Sequence, residues 1–567
     1  MTLGFLWMLV ANAAALLGAH ALTRRIGTGE GSLDAVLFLL VRLLLISAAI
    51  IVAGLTRTLS ALGLGLLGAA ALAVLIAFGA HRRLRWPTLP MVGLVMGVFA
   101  SLVLARLLAQ VWFFAPYFMD TLSYHLPKVA EWVRAGAFTR EMGVDTHASF
   151  PAGFELVETW WVVFLHHDVL IEMAGVEYLV LAFVATYALA KHVGITDAGA
   201  FFAGLVYVMT PGLHLQATSC ANDGPVSALV VATAALAARH APLPLLLLSA
   251  GLGIGVKATY LYALPGLGLL WMLSRKETAL SAVARKLGVG LAAGALLVGA
   301  FWYVHNIIWY GSPTYPVGLQ GLSGPHPIQL GPRISSLVGN VSSLIDPRIY
   351  DSAAPQGPYT VNISGWGAAA FACGLLALLA VTRTDARVRR MVVAFAVSAA
   401  FIFLHVLHDP WSIRFILFIP AILSIAAVRL AEEYRPILVV LGASLLLNFL
   451  GTMLPHHLPL RVFGPLAQQP WRDRSLANVF DAWPPSDCVG YFADNRNIAY
   501  LLYRPDYSSR VVYLRARSAE GLVQEMEDAG VRYVYAAPAS IENHEILKGL
   551  SESGRLRVLK GRFYVRE

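Results

Sequence analysis

The sequence predicts an α-helical protein that crosses a membrane about 14 times and carries a small α/β domain at its C-terminal end. Of its 567 residues, 58% are hydrophobic and only 13% are charged, whereas soluble domains have about 25% charged residues. Uncharged apolar runs recur along the chain, and each approaches the roughly 20 helical residues that cross about 30 Å of hydrocarbon. After about residue 454 the sequence becomes polar and shows strand and helix patterns.

The basic residues predict the orientation. The formal net charge is +9, and lysines and arginines cluster in short connections such as 23–33 and 80–90, which the positive-inside rule assigns to the cytoplasm. Such dispersed clusters argue against nucleic-acid binding. The first apolar run has no preceding basic residues, so we interpret it as an uncleaved span whose N-terminus lies outside. We therefore expect a multi-pass protein of a bacterial-type inner membrane with both termini outside.

The predicted spans define three regions: extra N-terminal helices (1–90), a membrane core (91–453) with outer loops 112–175 and 309–362, and an outer domain (454–567). Single spans are predicted near 3–22, 34–54, 58–79, 91–111, 176–192, 197–211, 223–239, 287–308, 363–381, 391–407, 415–430 and 436–453. Segment 243–273 would be about 46 Å long as one helix and has basic residues on both flanks. It is therefore predicted to form two short helices that meet near Lys257, at an outer turn.

Two further helices are predicted at the outer membrane surface, within the first long loop. The run DTLSYHLPKVAEWVRAG places His125, Lys128 and Trp132 on one helical face. Segment 154–166 is too short, and too interrupted by charge, to cross the membrane. In the C-terminal domain, CVGYFA, RVVYLR and VRYVYAA are typical of strands, and 518–529 and 541–551 of helices.

This topology collects the chemically interesting side chains on the outer side. They are Asp120, Tyr124, His125, Lys128, Asp145, His147, Asn222, Asp223, Lys257, His305, Asn306 and Arg414. Charged groups at membrane depth cost about 2.5–3.5 kcal/mol each. Their convergence at one interface therefore indicates a site for an anionic substrate carried by a lipid.

Four motifs in order carry a family resemblance. They are D-T-L-S-Y-H-L-P-K-V-A-E-W, L-Q-A-T-S-C-A-N-D, V-K-A-T-Y and H-N-x-x-x-Y-G-S-P-T-Y-P. Together they resemble membrane glycosyltransferases of the GT-C superfamily, especially bacterial relatives of the protein O-mannosyltransferases and of the lipid A aminoarabinose transferase. The resemblance covers roughly 91–430 and leaves the three spans before it without an assigned role.

The resemblance implies a hexosyl- or pentosyltransferase that takes its sugar from a polyprenyl-phosphate lipid and passes it to a glycan, lipid or protein of the envelope. In that family an aspartate of the first outer loop deprotonates the acceptor hydroxyl, and Asp120 occupies the matching position. The leaving phosphate needs cationic partners, for which Lys257 and Arg414 come first and His125 and Lys128 next. No cofactor is required by the sequence, no metal ligands are assigned, and a divalent cation stays open.

Several of these residues also have a structural interpretation. Asp120, Asn222 and Asp223 are good helix caps, and Lys257 can reach the membrane surface as an ordinary interfacial lysine. Arg414 can flank the following span. His305 and Asn306 are expected to pack the proline-containing loop after them.

Two other functional classes stay open at this stage. A transporter or flippase of lipid-linked saccharides would also be apolar and basic, but it favours charges at mid-membrane and two related halves. A noncatalytic scaffold for the C-terminal domain would leave Asp120 and its neighbours unexplained.

Overall fold

The structure, a computed structural model, describes residues 2–83, 93–114, 116, 118, 120–140, 146–274, 281–318, 326–327, 332–344, 364–383, 386–453, 488–492, 499–504, 506–536, 541–560 and 563–566. Helices dominate as far as residue 453, and a sheet with two helices follows, so the predicted fold class is confirmed.

The helices of the membrane part follow the apolar runs. They are α1 (Thr2–Ile26), α2 (Gly31–Leu55), α3 (Ala61–Ala77), α4 (Leu94–Phe113), α5 (Leu126–Ala135), α6 (Gly153–Val163), α7 (Met173–His192), α8 (Asp197–Val208), α9 (Pro211–Ala217), α10 (Asp223–Ala238), α11 (Leu243–Val256), α12 (Leu264–Leu273), α13 (Ala282–Tyr310), α14 (Ile334–Ser342), α15 (Gly367–Arg383), α16 (Ala386–His405), α17 (Ile419–Glu433) and α18 (Pro436–Met453). Short β1 (Val317–Gly318) and β2 (His326–Pro327) pair in parallel.

Among the described residues, fewer helices have the full length of a membrane span than the sequence predicts. Within the described residues, six helices are long and apolar enough to cross a membrane, or seven if α8 and α9, bent by 73° at their junction, form one span. Several predicted spans are instead apolar helices of 10–17 residues, such as α3 and α10. A short helix can still lie at membrane depth when neighbouring protein surrounds it, which an apolar count alone does not reveal.

The predicted break in segment 243–273 is confirmed. Helix α11 ends at Val256, Lys257 has an extended backbone, and a 3₁₀ turn (Ala258–Ala263) leads into α12. Helix α11 packs closely against α13 through glycines, because a Cβ on Gly255 would lie 2.9 Å from the Cα of Gly299. Such small-residue contacts let helix backbones approach within a membrane, and here they fix the position of Lys257.

The two helices of the first outer loop are enclosed by protein, so the expected exposure of one face to water and of the other to the membrane is wrong. Residues 126–133 of α5 are all buried, including Lys128 and Trp132. The ring of Trp132 stacks on Trp302 of α13, with centroids 5.0 Å apart. Most of α6 is buried as well. The sequence pattern predicted exposed polar faces, whereas partners from distant segments cover the polar residues of both helices.

An ion pair joins the first two N-terminal helices to the core. The guanidinium of Arg42 in α2 donates through Nε and Nη2 to the two carboxylate oxygens of Glu177 in α7, at 3.1 and 2.9 Å. Asn12 accepts a further bond from Arg42 at 2.8 Å, and Trp161 donates to Glu177 at 3.0 Å. A charge at this depth is costly unless it is paired, and here both charges have several partners.

The C-terminal part forms a mixed five-stranded sheet. Its strands are β3 (Cys488–Phe492), β4 (Arg510–Leu514), β5 (Tyr533–Ala536), β6 (Leu556–Lys560) and β7 (Phe563–Arg566), in the order β4-β3-β5-β7-β6. Strand β3 runs parallel to β4 and β5, and β7 runs antiparallel to β5 and β6. Helices α19 (Ala519–Asp528) and α20 (Ile541–Glu552) match their predicted positions, whereas β6 and β7 were not predicted.

Tyrosines attach this part to the first outer loop. The hydroxyl of Tyr503 donates to Glu131 of α5 at 2.9 Å and contacts the hydroxyl of Tyr513 at 2.9 Å. Tyr500 donates to Asp168 at 3.1 Å. The C-terminal part therefore contacts the helix that carries Lys128.

Candidate active site

Side chains from three distant segments meet around Arg414. Its Nη1 donates to Asp120 Oδ2 at 2.8 Å, and its Nε lies 3.4 Å from Asp223 Oδ2. Asp120 and Arg414 are 294 residues apart in sequence. The side chain of Asp120 keeps 32% of its surface exposed, whereas that of Asp223 keeps 4%. Asp120 is therefore the carboxylate of this group that a substrate can reach.

Lys257 completes the group. Its Nζ donates to Asp223 Oδ1 at 2.5 Å and to Asn222 Oδ1 at 2.9 Å. The ring of Phe415 lies beneath both cations, with its centroid 4.9 Å from Lys257 Nζ and 5.3 Å from the guanidinium carbon of Arg414. An aromatic face attracts cations. Two cations and two carboxylates thus share one site, and their charges balance.

Local structure explains why these side chains meet. Gln216 of α9 accepts a bond from the backbone N–H of Gly224 at 2.7 Å, which holds the turn before α10 and presents Asn222 and Asp223. Thr121 donates to the carbonyl of Cys220 at 3.1 Å and joins the first motif to the second. The 3₁₀ helix Pro410–Ile416, capped at its start by Asp409, carries Arg414.

The side chains of Asp120 and Asn222 bind the cations of the site and do not cap helices within the described residues. Each occupies the residue before a helical segment, yet neither side chain caps that segment within the described residues. Asp120 accepts from Arg414 and Asn222 accepts from Lys257 instead. The capping interpretation of both residues therefore has no supporting hydrogen bond in the described part of the chain.

Asp120 is ionised at neutral pH. Burial works to raise the pKa of its carboxyl group, but the charge of Arg414 and its hydrogen bond outweigh burial, and Lys257 adds to the effect. The pKa of Asp120 consequently lies below its ordinary value. A carboxylate held ionised beside cations, with one open side, can accept a proton from an acceptor hydroxyl.

A second, fully buried group lies behind the first. Glu155 of α6 accepts from His125 Nδ1 at 2.7 Å and pairs with Lys128 Nζ at 2.6 Å. Burial would raise the pKa of Glu155, but the charges of Lys128 and His125 bring it well below its ordinary value. Burial lowers the pKa of His125. Because an ionised Glu155 can only accept, His125 carries a proton on Nδ1.

Glu158 extends this buried group. It is one helical turn after Glu155, and its side chain is fully enclosed. Burial and the charge of Glu155 raise the pKa of Glu158 well above its ordinary value. Lys128 compensates the negative charge of Glu155 within this buried group. This second group is organised to hold the start of α5 in place.

The remaining predicted residues divide between the two groups and the loop after α13. Tyr124 lies between His125 and His147, with ring centroids 4.4 and 5.5 Å away. Asn306 donates to the carbonyls of Ser149 and Tyr315 at 2.9 and 3.0 Å, and so ties the proline-containing loop to the first outer loop.

His305 lies among aromatic side chains, 3.3 Å in centroid distance from Trp309. Neither His305 nor Asn306 contacts Asp120 or Arg414 among the described interactions. Asp145 lies outside the described residues.

Three residues of the site were not predicted from the sequence. Glu155 entered it only as an obstacle to membrane crossing, although two glutamates at i and i+3 in a short apolar helix signal a buried charge that needs a partner. Gln216 is part of the second motif but received no role. Phe415 directly follows Arg414, and no sequence pattern distinguishes it from an ordinary apolar residue of the next span.

Comparison with known proteins gives a likeness to solved structures. No protein-family model matches the sequence, and no curated protein matches it. The chain is similar to the crystal structure of ArnT from Cupriavidus metallidurans bound to undecaprenyl phosphate, with 11% sequence identity and a TM-score of 0.48, over 83% of this chain and 97% of that one. The likeness concerns the fold alone.

Proposed function

We propose that the chain is a membrane glycosyltransferase that moves a sugar from a polyprenyl-phosphate donor to an envelope acceptor on the extracytoplasmic face. The observation that carries the proposal is the meeting of Asp120, Arg414, Asp223 and Lys257 at a partly open position. A transfer of this kind needs a base for the acceptor and cations for the leaving phosphate. In this site the candidate base Asp120 lies in direct contact with the cation Arg414.

The paired charges suggest how donor and base work together. Arg414 holds Asp120 and faces Asp223, and Lys257 holds Asp223. A donor phosphate would compete for Arg414 and Lys257, since charge-assisted bonds to phosphate oxygens are strong. As Arg414 turns toward the phosphate, Asp120 loses its hydrogen bond and becomes free to accept the acceptor's proton. Donor binding would in this way prepare the base.

In the proposed reaction, the acceptor oxygen attacks the anomeric carbon while the bond from that carbon to the phosphate oxygen breaks. The acceptor's proton passes to Asp120, and the polyprenyl phosphate leaves with the bonding electron pair, its charge stabilised by Arg414 and Lys257. A single displacement of this kind inverts the anomeric carbon. His125, Glu155 and Lys128 keep the chain segment after Asp120 in position.

The test compares the envelope glycolipids and glycans of a deletion strain with those of its parent by mass spectrometry. We expect the deletion to remove one sugar-sized mass increment, the parent gene to restore it, and Asp120→Asn to fail to restore it. Asp34→Asn is the matched control, because Asp34 is also partly buried and accepts hydrogen bonds, from Thr28, far from the site. Restoration by Asp120→Asn at the parental level would contradict the proposal.

We also propose that the site faces the extracytoplasmic side of the inner membrane. Cys488 would first be replaced by Ser, because Cys220 and Cys373 are buried whereas Cys488 is partly exposed. Single cysteines at the exposed positions Glu520, Arg82 and Arg389 would then be treated with a reagent that does not cross membranes. We expect labelling at position 520 only. Labelling at 82 and 389 but not at 520 would reverse the orientation and exclude an outer site.

A further inference from the structure

The first three helices line most of a cavity of about 820 Å³, to which Trp160 of α6 also contributes. The described residues that line it include none of the candidate active site. On α1 it follows one face at every third or fourth position from Ala11 to Arg25, and on α3 it follows one face from Leu64 to Phe78. The two helices approach closely because small residues face each other, as at Gly68, whose added Cβ would lie 2.7 Å from the Cα of Ala11.

The cavity has the shape of a groove that is open along one side. From Ala11 to Arg25 it extends about 21 Å at about 1.5 Å per residue, which exceeds the roughly 15 Å of a single leaflet's hydrocarbon. Val74 and Phe78, which line it, are 54% and 76% exposed. A lipid chain can therefore enter from the side, from the surrounding bilayer.

One end of the groove is strongly basic. Arg24, Arg25 and Arg82 all line it, together with His20, whereas the rest of the lining is almost entirely apolar. Arg24, Arg25 and Arg82 are exposed, and none of them forms an ion pair with the described residues. The positive-inside rule assigns this end to the cytoplasmic leaflet. Three cations beside an apolar groove are complementary to a lipid that bears more than one negative charge.

We propose that the N-terminal three-helix segment binds a doubly anionic phospholipid of the cardiolipin type from the cytoplasmic leaflet. Its phosphates contact Arg24, Arg25 and Arg82, and one chain lies in the groove between α1 and α3. Basic sites between membrane helices on the cytoplasmic side are suited to such headgroups. The Arg42–Glu177 pair connects α2 to α7. A lipid bound in the groove would therefore stabilise the packing of the N-terminal helices against the core.

The test is native mass spectrometry of the purified full-length protein in detergent, with cardiolipin, phosphatidylglycerol, phosphatidylethanolamine or undecaprenyl phosphate added in turn. We expect a retained cardiolipin adduct that weakens at least tenfold in the combined variant Arg24→Gln, Arg25→Gln and Arg82→Gln. The matched control changes the exposed cations Arg285, Lys286 and Arg389 to Gln and should leave the adduct unchanged.

A second pair of variants tests the groove without changing charge. Ala71 and Ala70 are adjacent and both exposed, but only Ala71 lines the cavity. Ala71→Phe should fill the groove and weaken the cardiolipin adduct, whereas Ala70→Phe should not. Equal retention of phosphatidylethanolamine, preferential retention of undecaprenyl phosphate, or loss of the adduct in the control cation variant would each overturn the proposal. Sugar transfer is measured separately, so this outcome does not depend on the proposed activity.

Discussion

Two arginine–carboxylate pairs in this protein differ in what surrounds them. In the Arg42–Glu177 pair the guanidinium donates twice, and Asn12 and Trp161 occupy further bonding positions. In the Arg414–Asp120 pair only one hydrogen bond forms, and the side chain of Asp120 is 32% exposed, against 13% for Glu177. In the first pair the Glu177 carboxylate has three hydrogen-bond donors from the protein. The second pair keeps hydrogen-bonding positions open for a substrate. We therefore expect loss of the second pair to affect catalysis and loss of the first to affect stability.

The largest effect is expected for Asp120→Asn. Removal of a general base typically lowers the rate by about 10²–10⁴-fold, and the amide can still accept the bond from Arg414. Transfer per molecule of folded protein should fall by that factor, with the thermal unfolding temperature nearly unchanged. A rate close to the parent's would leave Asp120 as a structural partner of Arg414 and direct the search for the base to Asp145.

Breaking the other pair should affect stability instead of catalysis. Arg42→Met leaves the Glu177 carboxylate buried without its main partner, and breaking a buried pair typically costs about 3–5 kcal/mol. The unfolding temperature in detergent should fall markedly, while the KM for the donor in the surviving folded protein stays near the parent's. The double variant Arg42→Met, Glu177→Leu should recover much of the stability. A selective loss of donor affinity would mean that this pair also serves the site.

Arg414→Gln should move the acidic limb of the pH–rate profile. The pKa of Asp120 lies below its ordinary value because Arg414 outweighs burial, so without Arg414 that pKa rises. Since the base must be ionised, activity is lost as pH falls through its pKa, and the limb of kcat/KM should shift to higher pH. Lys257→Gln is the control, because Lys257 affects Asp120 less and forms no hydrogen bond with it among the described contacts. An unmoved limb would exclude Asp120 as the titrating base.

The smallest effect is expected at the contact between the C-terminal part and α5. Tyr503→Phe removes the hydroxyl that donates to Glu131, and one hydrogen bond contributes about 0.5–1.5 kcal/mol, or more when the acceptor is charged. Limited proteolysis should cut the C-terminal part faster, with only a small change in kcat. Tyr564→Phe, in the same sheet, is the comparison variant. Equal proteolysis of both variants would indicate that the Glu131 contact does not hold the C-terminal part.

Sequence reasoning worked where one local pattern has one physical meaning. The apolar runs predicted the membrane helices, and basic flanks around an overlong run predicted the break at Lys257. It failed for α5 and α6, because a polar face toward water and a polar face toward buried partners give the same periodicity. Glu155 illustrates this: nothing near it in sequence shows that Lys128 and His125 will enclose it.

The sequence by itself determined a helical membrane protein with a C-terminal α/β part, and it supplied most residues of the candidate site. Hydrophobic length and charge distribution are properties of short segments, so they can be read without a structure. Only the tertiary structure decided which acid pairs with which cation. Arg414 contacts Asp120 across 294 residues and also faces Asp223, which Lys257 holds. Those pairings depend on how α10, α11 and the segment before α17 pack together, and no local pattern encodes that packing.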